Sequence, residues 1–288
     1  MRVAAILLAA AATLLGGCAS SDPGGTTRTA TAGPTAPPDP NEPIPRDPDE
    51  LARRLAETTA ALYGAIDRWR HEGDLRGATP EEVTLHALYQ QRIHLLLTER
   101  PGIARRVIAR LPAGPARDLG STVVARRGLA RLTPPVPRSR FRTGPAPPPG
   151  VLLDYYREAQ RRFRVAWPVL AAVHFVESAF GRLRNESVAG AQGPMQFIPS
   201  TWAAYGMGGD VHDSHDAILG AANYLHASGA PDDYRGALYA YNPSTAYVGA
   251  VLAYSGVIRR DSRAFFAYHS WQVFVRTPSG RRRITGPG

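Results

Sequence analysis

Glu177 has the surroundings of a catalytic acid. It lies in the run Trp167-Pro168-Val169-Leu170-Ala171-Ala172-Val173-His174-Phe175-Val176-Glu177-Ser178-Ala179-Phe180, which is apolar almost throughout. Pro168 suits the first turn of a helix, where its missing N–H would have no intrahelical partner. A helix that is apolar all round belongs in a protein interior. Glu177 follows Val173 by four residues and Leu170 by seven, so it shares their face. A carboxylate there without a cation is costly to ionise, and its pKa rises toward neutral. A glutamic acid that keeps its proton near pH 7 is a proton donor. The other reading is a Glu at the helix end, facing solvent and paired with His174 or Arg182. The helix alone leaves both open.

Two further segments bear on this. In Gly190-Ala191-Gln192-Gly193-Pro194-Met195-Gln196-Phe197-Ile198-Pro199-Ser200-Thr201-Trp202 the glycines permit close backbone approach, and Pro199 or Ser200 can open a helix. Ala240-Tyr241-Asn242 comes next. In order, Glu-Ser-x-Phe, Gly-x-x-Gly-x-Met-Gln-Phe-x-Pro-x-Thr and Ala-Tyr-Asn resemble the lytic transglycosylases of the soluble (Slt) type, which have a lysozyme-like fold. The resemblance covers residues 150–260 and is silent on 20–140.

The resemblance implies a reaction and roles. Similar enzymes cut the bond from N-acetylmuramic acid to N-acetylglucosamine in peptidoglycan without water. Glu177 would protonate the leaving oxygen, then take the proton of the muramyl 6-hydroxyl as that oxygen closes a 1,6-anhydro ring. Ser178 would hydrogen-bond near Glu177 or the sugar. Gly193, Met195 and Gln196 would line the cleft, Tyr241 would bring its hydroxyl to Glu177, and Asn242 would support the substrate or its loop. Each residue also has a plainer reading: Met195 and Phe197 as core, Gln196 as a partner for backbone groups, Tyr241 as a buried tyrosine with a bonded hydroxyl. Pro243-Ser244 departs from the usual Tyr-Asn-Ala-Gly, which bears on the fine contacts of that loop.

Hydrolysis of a glycosidic bond ordinarily needs two carboxylates. Asp213 or Asp216, and Asp232 with Asp233, read as helix starts. That leaves Glu186, whose loop context favours a surface role, as the other plausible partner; a true hydrolase (muramidase) of the same fold would use Glu186 or a helix-start Asp to align water. A third reading is a wall-binding lipoprotein without turnover, although a pure binder gains nothing from a costly buried acid. His212 and His215 beside Asp213 and Asp216 lack the further Cys or His of a metal centre. No metal and no cofactor is expected.

The remaining chain must position and deliver this site. Arg2, the apolar stretch Val3–Leu15 and Leu15-Gly16-Gly17-Cys18 read as a signal peptide (1–17) ending in a lipobox-like run. Cys18 would be lipidated and anchor an exported protein at the membrane, facing the wall. It is the single Cys, so no intrachain disulfide can form. Residues 18–49, rich in Ser, Thr, Gly, Ala and Pro, read as a disordered tether. Residues 50–133 form a helical region: Leu51, Leu55, Thr58, Leu62, Ile66 and Trp69 mark one face, and Thr79-Pro80-Glu81-Glu82 reads as a capping box. Pro101–Leu111 and Pro115–Leu132 read as two more helices. This region is a small domain or an extension packed on the catalytic part. The proline-rich 134–149 is a linker or an arm laid on the next domain.

The fold class expected is mainly α: a lysozyme-like catalytic domain (150–260), the helical region before it, and a C-terminal extension (261–288) with a β-hairpin. In the hairpin, Ser270–Arg276 is strand-like and Thr277–Gly280 turns. All 34 basic residues other than His are Arg. Residues 51–150 hold 17 Arg against 8 acidic residues, whereas 151–260 hold nine of each. The basic excess lies outside the catalytic part and suits anionic wall polymer or a lipid surface. An isoelectric point near 10.2 would ordinarily point to nucleic acid, but the export signal argues against that partner.

Overall fold

The computed structural model describes residues 36–287. The signal peptide, Cys18 and most of the tether lie outside the described residues. Four helices come first: α1 (Pro48–Glu72), α2 (Glu81–Glu99), α3 (Pro101–Ile108) and α4 (Ala113–Leu132). After a 3-10 turn at Arg138–Arg140 come α5 (Pro149–Phe163), α6 (Trp167–Ser178), α7 (Pro199–Tyr205), α8 (Ser214–Ala227), α9 (Tyr234–Tyr241) and α10 (Thr245–Arg260). The chain ends in α11 (Arg263–Ser270) and the hairpin β1 (Phe274–Thr277) and β2 (Gly280–Arg283). The fold is mainly α with a C-terminal hairpin, as the sequence leads one to expect.

Helix α6 is the centre. Every residue from Pro168 to Ser178 is buried, and α5, α8, α10 and α11 enclose it. The same hydrophobic core takes in Leu62, Ile66 and Trp69 of α1, Val83 of α2 and Leu129 of α4. The N-terminal helices are therefore an extension sharing the catalytic core, with α4 lying along α10. A second cluster, including Leu51, Leu55, Ile93, Leu97 and Val107, binds α1, α2 and α3 to each other.

Several local expectations change. The tether reading extends too far: Tyr89 donates to the Pro43 carbonyl at 3.2 Å, Arg92 to that of Pro40 at 3.2 Å, and Ile44 packs on the second cluster. Asp47 then caps α1, accepting from the Asp49 and Glu50 N–H groups. The Thr79 capping box does not form. Pro80 holds an extended backbone, so α2 starts at Glu81 with no side-chain cap. Helix α11 was not foreseen, since its Phe-Phe-Ala-Tyr run resembles strand composition. Its Phe265, Phe266 and Tyr268 bury among Trp69, Tyr254 and Trp271. Strand β1 consequently begins at Phe274, not Ser270, and pairs Phe274 with Arg283 and Thr277 with Gly280. The proline-rich stretch is an arm: Val136 donates to the Arg276 carbonyl, and Thr143 bridges to Leu183.

Candidate active site

Glu177 sits in the last turn of α6 and is 7% exposed. Burial pushes its pKa up to about 8, so the carboxyl holds its proton at neutral pH. No cation offsets that desolvation, and no second carboxylate adds to it. The solvent-facing reading falls away. His174 Nδ1 is bonded to the Tyr156 hydroxyl at 2.7 Å, and Arg182 donates to the Ala179 carbonyl at 3.3 Å.

One group acts in the other direction. The fully buried Tyr247 is close enough to Glu177 to favour the carboxylate somewhat, yet its hydroxyl closes no hydrogen bond of normal geometry. A buried, unpartnered hydroxyl beside an acid is an exception to the general satisfaction of interior polar groups.

The chain leaves α6 through three consecutive residues with left-handed backbone: Ala179 (φ 52°), Phe180 (φ 61°) and Gly181 (φ 80°). Such a conformation costs of order 1–3 kcal/mol for each of the two non-glycine residues. Phe180 is wholly buried among His174, Phe175, Phe265 and His269, and burying a Phe contributes about 1.5–3 kcal/mol. Ser178 completes the turn. Its Oγ accepts the Gly181 N–H at 2.8 Å and donates to the Pro194 carbonyl. Being fully buried and so engaged, Ser178 ties two loops together and is not placed to touch a sugar.

The second motif folds back on itself. Gln192 and Phe197 exchange backbone bonds at 2.9 and 2.8 Å. Gly193 has φ 73°, and a Cβ there would lie 1.8 Å from the Val211 carbonyl oxygen, so no other residue fits. Gln196, itself at φ 52°, donates from Nε2 to the Gly193 carbonyl at 2.9 Å and the Asn185 carbonyl at 3.1 Å. Its role here is to hold the loop. Met195 is fully buried, so its side chain is core and not cleft lining. Its carbonyl accepts from the Tyr241 hydroxyl at 2.7 Å. The hydroxyl expected at Glu177 is thus committed elsewhere, and Tyr247 takes that place. Asn242 is 2% exposed with an unpartnered Nδ2, a donor left for something to occupy.

Sequence reasoning missed Tyr247 and the row that leads to it. Tyr205 packs on Tyr224 with ring centroids 4.6 Å apart, Tyr224 on Tyr241 at 5.5 Å, and Tyr241 lies parallel to Tyr247 at 6.5 Å. The row runs from half-buried rings at Tyr205 and Tyr224 to the buried Tyr247 at the acid. The available signal was density: seven of the chain's 12 tyrosines fall between positions 205 and 254.

The remaining acids have local duties. Asp213 caps α8 and Asp233 caps α9. Asp216 accepts the Asp210 N–H at 2.9 Å, and His215 pairs with Glu158 at 2.9 Å. Asp213, His215 and Asp216 do come together, with ligand-type atoms within 4.8 Å of one another, but these bonds account for the grouping. Glu186 is exposed on its loop.

An enclosed helix thus presents one protonated glutamic acid beside a glycine-dependent loop and a row of tyrosines. Residues 154–260 match the model of the transglycosylase SLT domain family. The match supports recognition of this segment as a lytic transglycosylase domain of the lysozyme-like superfamily, acting on peptidoglycan. No curated protein and no solved structure matches the chain. The match includes α6 to α10 and stops short of α11, the hairpin and the N-terminal helices.

Proposed function

We propose that the domain cleaves the bond from N-acetylmuramic acid to N-acetylglucosamine with Glu177 as sole acid and base, leaving 1,6-anhydromuramyl ends. The observation that carries this reading is a buried Glu177 with a pKa near 8 to which no other carboxylate contributes. In the first half of the reaction the Glu177 proton passes to the bridging oxygen as the bond from it to muramyl C1 breaks. In the second, the muramyl 6-hydroxyl oxygen bonds to C1 and its proton returns to Glu177. Atoms balance with no water consumed. The nucleophile is already on the substrate, which removes the need for a second carboxylate to position one. The free Tyr247 hydroxyl is suited to donate to the Glu177 carboxylate that exists between the two halves, and the free Asn242 amide to donate to bound sugar. The tyrosine row offers flat apolar faces to the glycan chain.

Delivery to the wall belongs to the same proposal. The signal-like N-terminus and Cys18 make this an exported lipoprotein, anchored by acyl chains and facing the wall. Among the described residues no helix is long and apolar enough to cross a membrane.

The test is paired substitution with analysis of chain ends. Glu177→Gln abolishes cleavage and leaves the fold intact, while Glu186→Gln still yields anhydro ends. An inactive Glu186→Gln, together with ordinary reducing ends from the wild type, would replace this mechanism by the two-carboxylate muramidase. Intact wall binding with no turnover by the wild type would favour the non-catalytic reading.

A further inference from the structure

The proline-rich arm builds a pocket against the loop that leaves α6. Residues 140–147 precede the SLT segment and run against 182–185, the chain leaving α6. Gly144 donates to the Arg182 carbonyl at 3.0 Å, and Arg184 donates to that of Arg142 at 3.0 Å. Asn185 accepts the Arg142 N–H at 2.7 Å and donates to the Arg140 carbonyl. Between arm and loop lies a pocket of about 220 Å³, floored by Pro147, Gly181 and Pro194. Ser178, the residue after Glu177 in the chain, bonds both Gly181 and Pro194 and so ties two residues of the pocket floor to the end of α6.

Its edge carries the exposed Arg142 and Arg184, with Glu186 as the single carboxylate. Arg184 lies flat across Gly144, where a Cβ would come within 2.2 Å of its Nε, and donates to the Pro145 carbonyl at 3.3 Å. Arg142 has one long contact, 3.5 Å to the Arg184 carbonyl. Neither guanidinium pairs with a carboxylate among the described residues, and most of their donors are unspent. Behind the floor, the wholly buried His174 keeps an unpartnered Nε2, 3.8 Å from where a Cβ on Gly181 would stand.

We propose that this pocket takes a carboxylate of the peptide stem on the muramyl sugar being cut, so that the arm selects stem-bearing glycan. The proposal rests on the peptidoglycan reading of the site. Planar guanidinium groups match carboxylates in geometry as well as charge, and the stem branches from the same sugar that Glu177 serves.

The full chain is assayed on three substrates: stem-bearing glycan, glycan freed of its stems by an amidase, and stem-bearing glycan with its carboxyls amidated. The wild type favours the first over the second in kcat/KM by about tenfold, the equivalent of one charge-assisted pair. Amidation removes that preference. Arg142→Gln with Arg184→Gln removes it on unmodified substrate, and Gly144→Ala, which displaces the Arg184 guanidinium without removing charge, reduces it. An active wild type whose preference survives both the Arg substitutions and amidation overturns the proposal alone. A wild type inactive on all three overturns the peptidoglycan reading and this proposal with it.

Discussion

Keeping Glu177 buried costs this protein stability in a manner that pH reveals. The folded carboxyl has a pKa of about 8 against an ordinary 4.5. Between those values the folded state holds a proton that the unfolded chain has released, so stability falls as pH rises. The slope is about 1.4 kcal/mol per pH unit, flat below about 4.5 and flat again above about 8. At pH 7 the penalty is about 3 kcal/mol, and it is absent at pH 4.5. Glu177→Gln removes the ionisable group at nearly constant shape. The variant should match the wild type near pH 4.5 and exceed it by about 3 kcal/mol at pH 7, a rise in Tm of about 6–12 °C for a chain of this size. Urea unfolding of both proteins at pH 5, 6 and 7 reads the difference directly. Curves that stay parallel across that range would refute the claim that Glu177 is buried uncompensated.

Other consequences follow from the same contacts. Activity should fall as pH rises through about 8, because the acid form needed for the first proton transfer is lost, and a pH–kcat/KM profile measures it. Tyr247→Phe should lower kcat about tenfold and change stability little, since its hydroxyl closes no hydrogen bond of normal geometry in the resting fold; the falling limb should also move to higher pH, because that hydroxyl favours the Glu177 carboxylate. Gly193→Ala should destabilise the fold by about 2 kcal/mol or more and abolish activity, its Cβ colliding with the Val211 carbonyl, as thermal melts and turnover would report. Cys18→Ser should shift the protein from the membrane to the soluble fraction.

What could be read in the sequence was whatever period and local chemistry encode. The burial of Glu177 follows from its place among Leu170 and Val173, and the hairpin from Thr277-Pro278-Ser279-Gly280. The caps at Asp213 and Asp233 follow from polar residues set just before helices. Contacts that depend on how helices pack were not legible. Tyr241 and Tyr247 are six apart, and which hydroxyl meets Glu177 is decided by the packing of α10 against α6 and by Met195 offering its carbonyl to Tyr241. Ser178 reads as a polar group near the acid, but the left-handed turn at Ala179–Gly181 directs it to the Pro194 carbonyl. Helix α11 escaped because aromatic residues that suit a strand equally suit a helix buried on all sides. The arm of residues 140–147 carries no period at all, and its antiparallel run against 182–185 rests on backbone bonds and the Asn185 side chain.

In the proposed reaction, cleavage uses the substrate's own hydroxyl and no water. Digestion of purified glycan strands in water enriched in oxygen-18 tests it most directly, with mass spectrometry of the new ends. The expected products are anhydro ends one water lighter than reducing ends, with no oxygen-18 incorporated and no cleavage by Glu177→Gln. One oxygen-18 atom per bond cut by the wild type would contradict it.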